Sequence, residues 1–125
     1  MFPEALLPGS AYQQKLLQTV IALYAGRSSV LAVLLYGSLG RGKGDAYSDL
    51  DLAVVMGDEV EINVAGEVEQ VCAALTKQGE QVLFTEVAGE DSFFVLQSLQ
   101  AIAICYHPLQ AMSPYVLEGW QLLCG

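Results

Sequence analysis

Leu34-Leu35-Tyr36-Gly37-Ser38-Leu39-Gly40-Arg41-Gly42-Lys43-Gly44-Asp45-Ala46-Tyr47-Ser48-Asp49-Leu50-Asp51-Leu52-Ala53-Val54-Val55 is the stretch on which the fold turns. An apolar run breaks at Gly37-Ser38, passes through glycine-rich sequence, and resumes through Asp49-Leu50-Asp51. A glycine turn lets backbone N–H groups approach a phosphate, because no side chain stands in the way. Strand side chains alternate, so Asp49 and Asp51 share one face, while Leu50, Leu52 and Val54 share the other. Two carboxylates aimed at one point repel unless a cation lies between them. Mg²⁺ suits that position, since it takes oxygen ligands from one or two carboxylates together with substrate phosphates. The stretch thus joins a phosphate turn to a metal-binding pair, the two halves of a phosphoryl-transfer site.

Outward from it, the periodicity alternates between helix and strand. Ser10-Ala11-Tyr12-Gln13 is a capping box, and Leu16, Leu17, Val20, Ile21, Leu23 and Tyr24 follow at helical spacing before Gly26. Val30–Tyr36 reads as a buried strand that ends at the phosphate turn. Ser38–Lys43 is expected to open a short helix whose N-terminus faces the phosphates. Asp49–Met56 is the next strand. A second amphipathic helix spans about Ala65–Gln78, with Val68, Val71, Cys72 and Leu75 on one side and Gly79 as its stop. Gln81–Val87 is a strand, Gly89–Ser92 a polar turn, and Phe93–Leu99 a helix capped by Ser92. Ala101–Tyr106 closes the pattern as an edge strand before Pro108. From Ser113 an apolar stripe (Tyr115, Val116, Leu117, Trp120, Leu122, Leu123) follows Pro114, which suits the first turn of a last helix. That stripe either packs on its own domain or docks a partner.

At the quoted residues the chain resembles the DNA polymerase beta-like nucleotidyltransferase superfamily, in particular its minimal nucleotidyltransferases. The shared pattern is a hydrophobic residue, Gly-Ser, a spacer, Asp-hydrophobic-Asp, and later an acidic residue between apolar neighbours. Gly37-Ser38, Arg41-Gly42 and Ser48-Asp49-Leu50-Asp51-Leu52 carry it. The resemblance implies an α+β fold, a small mixed β-sheet of three to four strands with helices packed on it. One nucleotidyltransferase domain would occupy residues 1–125, with a core of about 10–107. Residues 108–125 would form a C-terminal tail, either an interface or the start of a further domain. The implied reaction is metal-dependent transfer of a nucleoside monophosphate, AMP by expectation, from ATP or another NTP to a hydroxyl, with release of pyrophosphate.

The resemblance also implies roles. Asp49 and Asp51 would bind two Mg²⁺ ions, with Mn²⁺ an admissible substitute. Glu86, between Thr85 and Val87, would be the third catalytic carboxylate. Gly37, Ser38 and Gly40 would hold the triphosphate, and Arg41 and Lys43 would add positive charge. The acceptor would be a hydroxyl on a HEPN-type helical partner protein, as in toxin–antitoxin pairs, or on a small molecule; a homodimer is compatible with either. The competing reading is a non-catalytic nucleotide-binding antitoxin-type module that acts by binding its helical partner.

Composition narrows the classes. The chain has 125 residues, 54% of them hydrophobic, enough for a single core. Its 14 acidic residues against 5 basic ones give a formal net charge of −9. Even with three carboxylates committed to metal an acidic excess remains, which opposes nonspecific nucleic-acid binding. No apolar run approaches the ~18 residues of a membrane span, and the N-terminus lacks the basic region of a secretion signal. A cytoplasmic protein is expected. No Gly-Lys-Ser/Thr follows the glycines at Walker A spacing, and the match to a dinucleotide-binding fingerprint is poor. Cys72, Cys105 and Cys124 are too few and too scattered for a metal site or disulfide framework. His107, next to Pro108 at a strand end, reads as structural.

Overall fold

The capping box forms as the sequence requires. In this computed structural model, which describes residues 9–37, 45, 48–111 and 121–124, the Ser10 hydroxyl accepts the Gln13 N–H at 3.1 Å, and the Gln13 side-chain oxygen accepts the Ser10 N–H at 2.8 Å. Helix α1 then runs Ala11–Ala25 and buries Leu16, Leu17, Val20, Ile21 and Tyr24. Helix α2, Val64–Lys77, is capped by Asn63 and buries Val68, Val71 and Leu75. It stops before Gly79, whose φ of +89° is a conformation that side chains disfavour.

Strands β1 (Val30–Tyr36), β2 (Leu50–Met56), β3 (Val82–Ala88), β4 (Asp91–Leu96), β5 (Ala101–Pro108) and β6 (Gln121–Cys124) form one mixed sheet in the order β3-β4-β5-β2-β1-β6. Strand β2 pairs with β5 in parallel, and the other neighbours are antiparallel. Leu50, Leu52, Val54 and Met56 of β2 are buried on the side of the sheet that packs against α1 and α2. Asp51, Ala53 and Val55 alternate onto the opposite side, where Leu34, Ala53, Val55 and Cys105 form a second, smaller apolar cluster. The helix-covered face therefore supplies the core, and the other face carries the polar chemistry.

Three expectations about elements change. The sheet has six strands among the described residues, rather than three to four. Phe93–Leu99 is not a helix: Asp91–Leu96 is β4, with Ser92, Phe94 and Leu96 buried and Phe93 and Val95 on the other side. That period of two suits the β-branched and aromatic residues present. Gly89, at φ +63°, makes the tight hairpin with β3 possible. Ser92, expected to cap a helix, instead donates its hydroxyl to the Ile104 carbonyl at 2.9 Å. Strand β5 is consequently interior, flanked by β4 and β2. The edge on that side falls to β3, where Leu83, Phe84 and Val87 are exposed.

The helix expected from Pro114 begins on residues outside the described ones, but Gln121–Cys124 is strand β6, paired with β1. Leu123 is fully buried in the helix-side core. Arg27 joins the two helices through a paired contact with Glu67, at 2.6 and 2.7 Å, while its guanidinium lies 5.3 Å from the Tyr24 ring centroid. No helix among the described residues is long and apolar enough to cross a membrane.

Candidate nucleotidyl-transfer site

Strand β1 delivers Tyr36 and then turns at Gly37, whose φ is +72°. A side chain is doubly excluded there. The left-handed backbone disfavours it, and a Cβ would collide with the Asp51 carboxylate, whose Cγ lies only 3.2 Å from where that Cβ would stand. The turn and the second aspartate are thus in direct contact across the β1–β2 pair, where Tyr36 faces Asp51.

Asp49 is exposed just ahead of β2, and Asp51 is half-buried one step inside it. Burial raises the pKa of Asp51 above the usual carboxylate value, and the negative charge of Asp49 raises it further. A divalent cation between the two would reverse that penalty, and both are hard oxygen donors. The pair fits a Mg²⁺ or Mn²⁺ ion on this chemistry.

The segment before Asp49 is held by side chains from elsewhere in the fold. The Gln13 amide nitrogen donates to the carbonyls of Asp45 and Ser48, at 3.0 and 3.1 Å. The Gln100 amide nitrogen donates to the Ser48 carbonyl at 2.9 Å and to that of Ala101 at 3.0 Å. Asp45 and Ser48 are joined by three further bonds: Ser48 N–H to Asp45 carbonyl, Asp45 N–H to Ser48 hydroxyl, and Ser48 hydroxyl to Asp45 carboxylate. Sequence reasoning recognised Gln13 only as a cap and passed over Gln100. Nothing local marks either, since both act across long chain separations.

Glu86 is not brought to this pair. Register links Asp51 to Ala103, Ala103 to Phe93, and Phe93 to Glu86, so Glu86 stands in the same cross-strand row but three strands away. At the usual strand spacing that is about 14 Å between Cα atoms, too far for a shared metal shell. Ala103, with no donor, occupies the position beside Asp51 on β5. Among the described residues no three His, Cys, Asp or Glu side chains gather as a metal group. Ser38, Gly40, Arg41 and Lys43 lie outside the described residues.

Between Asp51's neighbours and β3, a cavity of about 340 Å³ opens on the face away from the helices. Tyr36, Glu86, Asp91, Phe93, Ala103 and Cys105 are among its walls. Burial pushes the Cys105 thiol up, and it donates weakly to the Leu52 carbonyl, so it is no ready nucleophile. His107 sits further along β5 with its Nδ1 3.5 Å from the Glu90 carboxylate.

The family profile described as "Polymerase beta, Nucleotidyltransferase" matches residues 18–105, well over half of the chain. The chain belongs to that nucleotidyltransferase family. Among solved structures, the polymerase beta-like fold recurs in the Cid1 poly(U) polymerase bound to MgGTP, at 16% identity and a TM-score of 0.55, over 82% of this chain and 35% of that one. The same polymerase with Mg 3'-dATP gives 18% identity and a TM-score of 0.54, covering 82% and 34%. A cytoplasmic RNA terminal U-transferase gives 18% and 0.51, covering 82% and 31%. At such identities the likeness is one of fold, and the chain spans about a third of the length of those structures. No curated protein matches it.

Proposed function

We propose that this nucleotidyltransferase domain moves a nucleoside monophosphate, AMP by preference, from an NTP to a hydroxyl on a partner protein or small molecule. The observation that carries the reading is the contact of the left-handed Gly37 turn with Asp51, two residues on from Asp49. Asp49 and Asp51 would hold Mg²⁺, which when bound supplies charge neutralisation for the phosphates and acidifies the acceptor hydroxyl. The Gly37 turn, with Ser38, Gly40, Arg41 and Lys43, would grip the triphosphate. The acceptor oxygen attacks the α-phosphorus, the bond from that phosphorus to the bridging oxygen breaks, pyrophosphate leaves, and the acceptor's proton passes to solvent.

In-line displacement sets the acceptor opposite the leaving group. The Gly37 turn lies on the β1 side of Asp51, so the acceptor belongs on the β5–β4–β3 side, where the cavity opens. Glu86 and Asp91 would then border the acceptor rather than ligate metal. The net charge of −9 counts against a nucleic-acid acceptor.

A second reading has its own support. Ala103 beside Asp51 and the distance to Glu86 favour a module that binds nucleotide without transferring it; such a module would act by engaging a helical partner. Isothermal titration of Mg²⁺–ATP and the other triphosphates into wild type and Asp49→Ala/Asp51→Ala tests both. Metal-dependent binding lost in the double variant supports the site, and pyrophosphate release with a hydroxyl acceptor separates transfer from mere binding. Equal binding by wild type and the double variant would falsify the assignment.

A further inference from the structure

We infer that Gln13 and Gln100 are positioning residues that clamp the Ser48 carbonyl and thereby hold Asp49 and Asp51 in place for the metal–nucleotide. This rests on the site proposed above and adds the device that fixes it. Gln13 is fully buried and Gln100 nearly so. A buried amide is costly unless its hydrogens are used, and here both hydrogens of each nitrogen are. Gln13 gives one to Asp45 and one to Ser48, and Gln100 gives one to Ser48 and one to Ala101. The Ser48 carbonyl has two lone pairs, and the two glutamines fill both.

The consequence passes directly to Asp49. The Ser48–Asp49 peptide unit is planar, so fixing the Ser48 carbonyl also fixes the Asp49 nitrogen and limits where its carboxylate can point. Only the Asp49–Leu50 unit separates it from β2, so its orientation bears on how the chain enters the strand that carries Asp51.

The segments that carry the two clamping residues are fastened together by their neighbours. Ser98 and Tyr12 share a hydroxyl hydrogen bond of 2.7 Å, which ties the β4–β5 turn to the first turn of α1. Leu99, between Ser98 and Gln100, has φ +70°, an uncommon conformation for a residue with a side chain, and is largely exposed. The turn is closed by the Leu99 N–H to the Leu96 carbonyl and the Leu96 N–H to the Gln100 carbonyl, and it leaves Gln100 buried and Leu99 exposed. Helix capping alone does not require the arrangement, since the cap uses only the Gln13 oxygen.

The cap and the clamp can be separated. Gln13→Glu keeps the acceptor for the Ser10 N–H, and glutamate serves this capping position as well as glutamine. It removes the donors to Asp45 and Ser48. Gln100→Ala removes the second donor to Ser48 without touching the helix. Ser10→Ala weakens the cap and leaves the clamp. Each variant is titrated with Mg²⁺–ATP, and its urea unfolding is measured in EDTA. The expected result is a loss of affinity of about 10–100-fold for Gln13→Glu and for Gln100→Ala, as for residues that orient metal ligands, with Ser10→Ala less stable but unchanged in affinity. If both glutamine variants bind like wild type while Asp49→Ala/Asp51→Ala does not, the clamp is refuted and the site stands. If affinity follows stability across all three variants, the role is structural and the clamp is refuted as well. If Asp49→Ala/Asp51→Ala binds like wild type, the site itself is wrong and the clamp falls with it.

Discussion

Replacing Gly37 by alanine probes the contact on which the functional reading depends. Two costs add. A residue with a Cβ in the left-handed region costs about 1–2 kcal/mol. Crowding the Asp51 carboxylate, whose Cγ is 3.2 Å from the ideal Cβ, costs a further ~1–3 kcal/mol, typical of a side chain forced into filled space. The internal comparison is Gly79→Ala, which has φ +89° but nothing within 4 Å of its Cβ, so it bears the backbone cost alone. The excess of Gly37→Ala over Gly79→Ala in urea unfolding therefore reads out the contact with Asp51. In the Asp51→Ala background that excess should largely vanish, a coupling of about 1–3 kcal/mol by double-mutant cycle. Mg²⁺–ATP affinity should fall at the same time, since the carboxylate must swing away to make room. An excess near zero, or one that survives Asp51→Ala, refutes the proposed contact between turn and carboxylate.

Two further outcomes are expected. Asp51→Asn should stabilise the metal-free protein near neutral pH while abolishing metal–nucleotide binding. Its carboxyl has a folded-state pKa raised by burial and by Asp49, so its contribution to stability is present at low pH and is lost as pH rises through that value. Urea unfolding in EDTA between acid and neutral pH should accordingly show wild type and variant converging at low pH and separating as pH rises; parallel profiles would refute this. Leu123→Ala should cost about 2–4 kcal/mol, because Leu123 is fully buried in the helix-side core, and an effect as small as that of a half-exposed residue such as Leu122 would remove β6 from the fold.

What could be read without coordinates is local. The Ser10–Gln13 cap and the break at Gly37 follow from backbone sterics, and Asp49, though it stands just ahead of β2, is close enough for its charge to act on Asp51. Both helices, β1 and β2 likewise appear in apolar periodicity, to within a residue at their ends. Phe93–Leu99 was misleading for a physical reason. A short apolar run after a serine satisfies a helix cap and a strand equally well, and pairing with β3 and β5 decided between them.

Cross-strand neighbours are a different matter. Glu86 has the acidic-between-apolar setting expected of a third carboxylate, yet strand order sets β5 and β4 between it and Asp51. The left-handed turn at Gly37 was determined by the sequence itself, since glycine conformation depends on near neighbours. Which residues stand beside the site was decided only by the tertiary structure: Ala103 next to Asp51, Glu86 on the cavity wall, and Gln13 and Gln100 on the Ser48 carbonyl. Those placements follow from how the strands and helices bury apolar surface together, a property of the whole chain that no short window contains.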